Sequence, residues 1–476
     1  MSKSTEIRRT KIVCTIGPAT RTVERMCELI EAGADVFRLN FSHGTAEDHT
    51  ENVAMTREAG KRCGKEIGIL GDLPGPKLRL GNVENGLIEL PSDGDVVLTT
   101  EEVEGDAGTL PVSWDGLPDA VREGGEVYLA DGRIRLRVTD KDARSVRCRV
   151  EVGGPVSSHQ GLNLPGADVT LPSAGRDDLA WVDFAVERGI DLLAVSFVRR
   201  AEDLDPVNRR IRTGGADIPV IAKIEKPQAA EHAEAIIRAT TSGIMVARGD
   251  LGIELPLEQV PSVQRRLIAL AGKNLRPSIT ATQMLASMVS SPRPTRAEVS
   301  DVANAIYQGT DAVMLSEETA VGDHPVEAIR VMDRIARATE PELPYGDWVF
   351  NRAASEGDVA ASVARAAVGS TYTMGLSALV VPTRSGRTAR LVSAHRPRVP
   401  VLAVSPRIET VRRLNLLFGV QCVMADEWTG ISALLDECSE LARETGVAKS
   451  GDLIGITAGL PRQELGTNLF EIHRVP

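Results

Sequence analysis

Residues 191–250 read DLLAVSFVRRAEDLDPVNRRIRTGGADIPVIAKIEKPQAAEHAEAIIRATTSGIMVARGD. Three short apolar runs, DLLAVSFV, PVIAKIE and GIMVARGD, are separated by amphipathic stretches of helix length. Short apolar runs that alternate with helical stretches are buried parallel strands, so this is β/α repetition. The same grammar extends outward on both sides. KIVCTIG, DVFRLNFS and IGILGDL come before, SITAT and AVMLS come after, and helices such as LEQVPSVQRRLIALAGK lie between most of them. Eight parallel strands predict a TIM (β/α)8 barrel, a fold of typically ~250 residues with its active site at the carboxyl ends of the strands.

Two regions break the pattern. Residues 75–170 alternate at period two with Gly and Asp turns, as in GEVYLADGRIRLRVTDKDARSVRCRVEVGG, and predict an all-β cap inserted after the third strand. A domain placed there hangs over the catalytic face and can act as a lid. Residues 346–476 return to α/β alternation with the strands ALVVPT, PVLAVS, VQCVMA and DLIGITAG, and a possible extra strand in NLFEIHRV. The domains predicted are therefore 1–74 with 171–345 (barrel), 75–170 (cap) and 346–476 (C-terminal α/β domain).

A formal charge of -11 over 476 residues argues against a nucleic-acid binder and leaves small anions as partners for any local basic site. Six scattered cysteines without a CxxC pair predict free thiols in a reducing, cytoplasmic setting. There is no apolar leader segment and no run approaching the ~20 apolar residues of a membrane span.

The polar residues that close the strands carry the chemistry. The second strand ends in Arg38, Asn40, Ser42 and His43, and the third in Asp72. The fifth ends in Lys223 and Glu225, on one face because strand side chains alternate. The sixth ends in Arg248, Gly249 and Asp250, the seventh in Thr280 and Thr282, and the eighth in Ser316 and Glu318. Glu225 and Asp250 from adjacent strands can chelate a hard divalent cation such as Mg²⁺. Arg38, Arg79 and Lys223 would neutralise phosphate or carboxylate in the same cup, an arrangement suited to phosphoryl transfer. A single acid at a strand end is more often a cap or an ion-pair partner, and only the coincidence of several at one barrel end points to chemistry. No GxGxxG or GxxxxGK[ST] stands in a strand-to-helix context.

With those residues in view, TIGPAT, RLNFSHG, KIEKP, MVARGDLGIELP, ATQMLASM, PRPTRAEVSDVANAIYQGTDAVMLSEETAVGDHPVEA and TRSGRTAR together resemble the pyruvate kinase family over nearly the whole chain. The resemblance implies phosphoryl transfer from phosphoenolpyruvate to ADP, giving pyruvate and ATP, with Mg²⁺ (or Mn²⁺) on Glu225 and Asp250. It implies that Lys223, Arg38, Thr282 and Glu318 serve catalysis, and that Lys223, Arg38, Gly249, Asp250 and Thr282 hold the substrate. Arg38, Asn40, His43 and Arg79 would face the nucleotide, together with Asp131 of the cap. The loop Thr383, Arg384, Ser385, Gly386, Arg387 and Thr388 would take a phosphorylated effector, a sugar monophosphate or AMP, in a homotetramer. Two other classes remain open: a different Mg²⁺-dependent enolate barrel enzyme, and an inactive nucleotide-binding regulator.

The sequence departs from the family in places. LSEET stands where LSGET is usual, which leaves Glu317 without a role, and AGRDD replaces a segment that commonly carries a Lys, with Arg176 nearby. DLPGPKLR at 72–79 replaces a segment close to DTKGPEIR. The family's monovalent-cation site would map to Asn40, Ser42 and Asp72, but its Thr is here Leu73 and a Glu is here Lys77. K⁺ is therefore expected to be dispensable, with the Lys77 ammonium, held near the Asp72 carboxylate by the Gly/Pro turn, standing in for the ion.

Overall fold

The computed structural model describes residues 7–130, 132–167, 171–351, 358–428, 430–459 and 466–476. Eight strands, β1 (Lys11–Thr15), β2 (Val36–Asn40), β3 (Gly68–Asp72), β4 (Leu192–Val195), β5 (Val220–Ile224), β6 (Ile244–Ala247), β7 (Ser278–Ala281) and β8 (Ala312–Leu315), form a closed parallel barrel in sequential order. Strand β6 ends at Ala247, earlier than the run GIMVARGD suggests. Arg248–Glu254 is instead a short helix, which puts Asp250 in a first turn rather than on a strand.

The barrel is filled by one parity of strand residues. Val13, Val36, Leu70, Leu192, Ala194, Ile221, Met245, Ile279, Ala281, Ala312 and Met314 form one buried cluster, a plug of aliphatic side chains. The other parity, including Ile12, Phe37, Ile69, Leu193, Ala222 and Val313, packs against the surrounding helices. Continuing the inward parity past the plug towards the carboxyl ends gives Thr15, Arg38, Asn40, Asp72, Ser196, Lys223 and Glu225. The polar mouth is therefore the next layer of the same alternation.

The cap is a six-stranded sheet with a separate two-stranded ribbon and its own aliphatic core, which includes Leu98, Leu110, Leu136 and Val146. The C-terminal sheet pairs Val420–Met424, Val401–Ser405, Ala378–Pro382 and Leu453–Ala458 in parallel, with Leu469–Arg474 antiparallel at the edge. All six cysteines are free; Cys14, Cys148 and Cys438 are buried and the others half-buried. Among the described residues no helix is long and apolar enough to cross a membrane.

The C-terminal domain closes the amino end of the barrel, opposite the mouth. Leu416 joins the aliphatic plug, and Lys11 of β1 donates from Nζ to the Val420 carbonyl at 2.7 Å. Arg396, only 1% exposed, pairs with Asp311 just before β8 at 2.9 Å and lies over the Phe418 ring at 4.2 Å. Removing one partner of a buried pair strands the other charge, at a cost of about 3–5 kcal/mol. Arg396→Ala is therefore expected to lower unfolding stability by that order in urea titrations, and Arg396→Ala with Asp311→Ala to recover part of the loss. An unchanged urea midpoint in the single variant would show that the pair does not hold the two domains together.

Candidate active site

At the mouth, Asp72 is fully buried between two cations. Its Oδ2 accepts from Arg38 Nε at 2.7 Å, and its Oδ1 lies 3.1 Å from Lys223 Nζ. Arg38 also donates from Nη1 to Thr15 Oγ1 at 3.0 Å. The Lys223 ammonium reaches Glu225 Oε1 at 2.8 Å and Ser196 Oγ at 2.7 Å as well. Burial by itself would lower the Lys223 pKa, but Asp72, Glu225 and Asp250 overcome it and hold the ammonium charged above its ordinary range. Asp72 is likewise kept below its ordinary value, because Lys223 and Arg38 outweigh its desolvation.

Glu225 is pushed upward, by burial first and by the charge of Asp250 next, against the opposing pull of Lys223. Its Oε2 is aimed by the Phe197 N–H at 2.7 Å. Two carboxylates that repel each other in a buried cup are a donor set for a hard divalent cation, which needs few protein oxygens and keeps its waters. Among the described residues no group of three or more His, Cys, Asp or Glu side chains is placed to hold a metal, so a cation here would have to draw further ligands from substrate or solvent.

The other side of the mouth is built on backbone strain. Thr282 and Gln283 both have positive φ, +66° and +52°. Arg248 holds them there by donating to the Ala281 and Thr282 carbonyls at 3.2 and 2.7 Å while pairing with Asp301 at 2.6 Å. Arg248 is thus a brace under β7 rather than a cation in the cup. Gly249 donates its N–H to Thr282 Oγ1 at 2.7 Å, so the two groups assigned to a substrate carboxylate satisfy each other in this state. Buried Glu318 accepts from the N–H groups of Ser316 (2.7 Å) and Leu285 (3.1 Å), which ties the end of β8 to the strained turn.

The expected placement of Lys77 beside Asp72 is not what the structure has. Both Asp72 oxygens face Arg38 and Lys223, and the Pro-rich turn carries Lys77 out to the cap, where a Cβ built on Gly161 would meet its Cε at 2.7 Å and its Nζ at 3.3 Å. Arg79 donates to the His159 carbonyl of the cap at 3.2 Å. The His43 pKa is lowered by partial burial and by the nearby charges of Arg79, Arg38 and Lys77. Asn40 Oδ1 accepts from the Ser42 N–H at 3.2 Å, and Leu73 is buried. Asp131 lies outside the described residues.

In the C-terminal loop, Thr383 Oγ1 accepts the Gly386 N–H at 3.0 Å and opens the helix Arg387–Ala394. Arg384 pairs with Glu427, Arg387 with Asp358 at 2.5 Å, and the Thr388 hydroxyl meets that of Thr467. Ser385 is exposed.

Sequence reading passed over Ser196 and Thr15, although the inward parity of β4 and β1 marks both. It also passed over Asp178. This buried carboxyl accepts the N–H of Gly75 at 2.8 Å and of Gly175 at 2.9 Å, one on each of the two chain crossings between barrel and cap. No local pattern identifies such a latch, because its two partners are a hundred residues apart.

Comparison with known proteins bears on what this geometry does. A family model described as "Pyruvate kinase, barrel domain" matches residues 7–329, and one described as "Pyruvate kinase, alpha/beta domain" matches residues 361–473. The chain is 41% identical over 473 residues to the pyruvate kinase of Bacillus licheniformis, covering 98% of this chain and 81% of that one. It is 43% identical over 471 residues to the pyruvate kinase of Geobacillus stearothermophilus, covering 98% and 80%. A solved pyruvate kinase from Cryptosporidium parvum superposes with a TM-score of 0.93 at 34% identity, covering 98% of this chain and 96% of that one.

Asp178 makes the cap crossings testable. Hydrogen bonds to a carboxylate contribute ~1.5–3 kcal/mol, so Asp178→Ala is expected to speed local amide exchange at Gly75 and Gly175 roughly tenfold or more while barrel-strand amides keep their protection. Unchanged exchange at both glycines would show that the latch carries no energy.

Proposed function

The chain belongs to the pyruvate kinase family, and from that membership we infer how its own residues carry out the reaction. The enzyme is a phosphotransferase that moves the phosphoryl group of phosphoenolpyruvate to ADP, giving pyruvate and ATP. The observation that carries the residue assignment is the Lys223 ammonium, fixed between Asp72, Glu225 and Ser196 and facing Asp250. A different enolate enzyme with the same barrel is not favoured by relatives that match over the full chain.

Glu225 and Asp250 would hold the Mg²⁺ or Mn²⁺ that the family uses, and the ion would supply positive charge to the phosphate and enolate oxygens. Lys223 and Arg38 bind the phosphoryl oxygens from the barrel axis. As the bond from phosphorus to the enol oxygen breaks and the bond to the terminal oxygen of ADP forms, Lys223 keeps its charge against the moving group. The enolate left behind takes a proton at its methylene carbon on the side of Thr282, whose position Arg248 and Glu318 maintain. Gly249 and Asp250 N–H groups and the Thr282 hydroxyl receive the substrate carboxylate. Arg38, Asn40, His43 and Arg79 face the nucleotide phosphates. Because partial burial and cationic neighbours keep His43 neutral, it can donate one hydrogen bond without adding charge.

Three regulatory readings go with this. K⁺ is dispensable, because Leu73 removes one ligand and both Asp72 oxygens are engaged by Arg38 and Lys223. The loop 383–388 takes a phosphorylated sugar or AMP by displacing Glu427 and Asp358 from Arg384 and Arg387. The enzyme works as a cytoplasmic homotetramer.

Two measurements decide between these readings and their opposites. Asp250→Asn is expected to lose most of the turnover at modest Mg²⁺, since the cation gains little else from protein; near-normal turnover would overturn the metal assignment. The wild-type enzyme is expected to be fully active with Mg²⁺ in buffer free of K⁺ and Na⁺, and Lys77→Glu with Leu73→Thr to acquire a K⁺ requirement. Strong stimulation of the wild type by K⁺ at constant ionic strength would end that reading.

A further inference from the structure

We propose that Ser196 is a positioning residue for phosphoryl transfer: its hydroxyl aims the Lys223 ammonium, and its own orientation is set by the first turn of the chain leading to the cap. The proposal rests on the assignment of Lys223 given above.

An ammonium has three N–H donors; Lys223 donates to Ser196 Oγ at 2.7 Å and stands as an ion pair 2.8 Å from Glu225 Oε1 and 3.1 Å from Asp72 Oδ1. Two of these partners have other duties. Asp72 is shared with Arg38, and Glu225 is paired with Asp250 for the metal. The Ser196 hydroxyl, by contrast, accepts from Lys223 and pairs with no second charged group. It is also neutral, so it fixes direction without cancelling the charge that the phosphoryl group needs. A carboxylate in its place would hold the ammonium as well and blunt it.

The hydroxyl cannot turn away. It has a single proton, and that proton goes to the Leu73 carbonyl at 2.6 Å, which leaves the oxygen lone pairs facing Lys223. A hydroxyl that donates strongly also accepts more strongly, so the two bonds support each other. Ser196 is itself 1% exposed and locked from both sides. The next residue, Phe197, has φ +54° and gives its N–H to Glu225, while a Cβ on Gly75 would stand 2.8 Å from Ser196 Cβ and 2.7 Å from the Phe197 ring. The pair 196–197 therefore holds Lys223 through one residue and Glu225 through the next. Leu73 and Gly75, which press on that pair, are the outgoing crossing to the cap. Movement of the cap and the aim of the lysine share one hydrogen bond.

The test separates aim from folding. In Ser196→Ala, kcat for ADP phosphorylation is expected to fall roughly ten- to a hundredfold, while KM for phosphoenolpyruvate and for ADP changes by less than about threefold. Exchange of pyruvate methyl protons with solvent, which reads the enolate half of the reaction on the Thr282 side, should stay within about twofold. In the crystal structure of the unliganded variant, Lys223 Nζ should leave its position between Asp72 and Glu225 or lose order. Should Ser196→Ala fail to fold, Ser196→Cys carries the same reading, because sulfur keeps the volume and is a weak acceptor. Turnover within twofold of wild type in the folded variant would overturn the proposal, as would an equal fall of transfer and proton exchange. Lys223→Met, measured alongside, keeps the two levels apart: transfer that survives in Lys223→Met overturns the assignment of Lys223, and transfer lost there but intact in Ser196→Ala overturns only the role of Ser196.

Discussion

A buried ammonium that must stay charged is the constraint on which the rest of this structure depends. Moving Lys223 out of water is costly by several kcal/mol, and only closely placed carboxylates make it tolerable. Asp72 and Glu225 provide that compensation from β3 and from the end of β5, and Asp250 adds to it from the helix after β6. Each of those acids needs its own compensation in turn, so Arg38 is recruited on Asp72 and the Phe197 N–H on Glu225. The network reaches five of the eight strand ends before it is satisfied. The catalytic cup and the electrostatic repair of one lysine are the same object.

That object sits where it does because of strand alternation. The inward residues of the barrel run from an aliphatic plug to a polar layer without a change of phase, as in Ile221, Lys223 and Glu225 on β5 or Leu70 and Asp72 on β3. This is why the sequence is legible at Lys223, Glu225, Arg38 and Asp72, and why the eight strands can be counted from the apolar runs alone. Ser196 follows the same phase after Leu192 and Ala194, but a serine at a strand end carries no chemical signal until Lys223 is found opposite it. Arg248 misleads for the reverse reason. Its charge advertises a place in the cup, yet helix formation immediately after Ala247 turns it under β7 to brace Thr282. Lys77 misleads because a Gly/Pro turn suggests a chain folded back on Asp72, whereas this one delivers the side chain to Gly161 of the cap. Local pattern reports which residues face inward; partners a hundred residues away are set by tertiary packing.

The two ends of the barrel use charge differently. At the amino end, buried Asp35 is enclosed by Arg8, Lys11 and Lys65, and Asp311 by Arg396 of the C-terminal domain. Burial and its neighbours leave Lys11 with a pKa lowered to about 8, and Arg8, Lys65 and Lys11 hold Asp35 well below the usual carboxylate range in spite of its desolvation. These are closed sets, each acid matched by at least one base; the Asp311–Arg396 pair joins the barrel to the C-terminal domain, while the Asp35 set ties the barrel to itself. The cap crossings are held by hydrogen bonds, from Gly75 and Gly175 to Asp178 and from Arg199 to the Leu171 carbonyl at 2.7 Å.

At the carboxyl end the set is open. Arg38 and Lys223 face the three carboxylates of Asp72, Glu225 and Asp250, so these five groups alone carry one more negative than positive charge, with Arg79 and Lys77 adding positive charge near His43. A divalent cation held by Glu225 and Asp250 would add positive charge there and would draw Glu225 away from Lys223. Lys223, still held by Ser196 and facing Asp72, would then have an N–H to turn towards a phosphoryl oxygen.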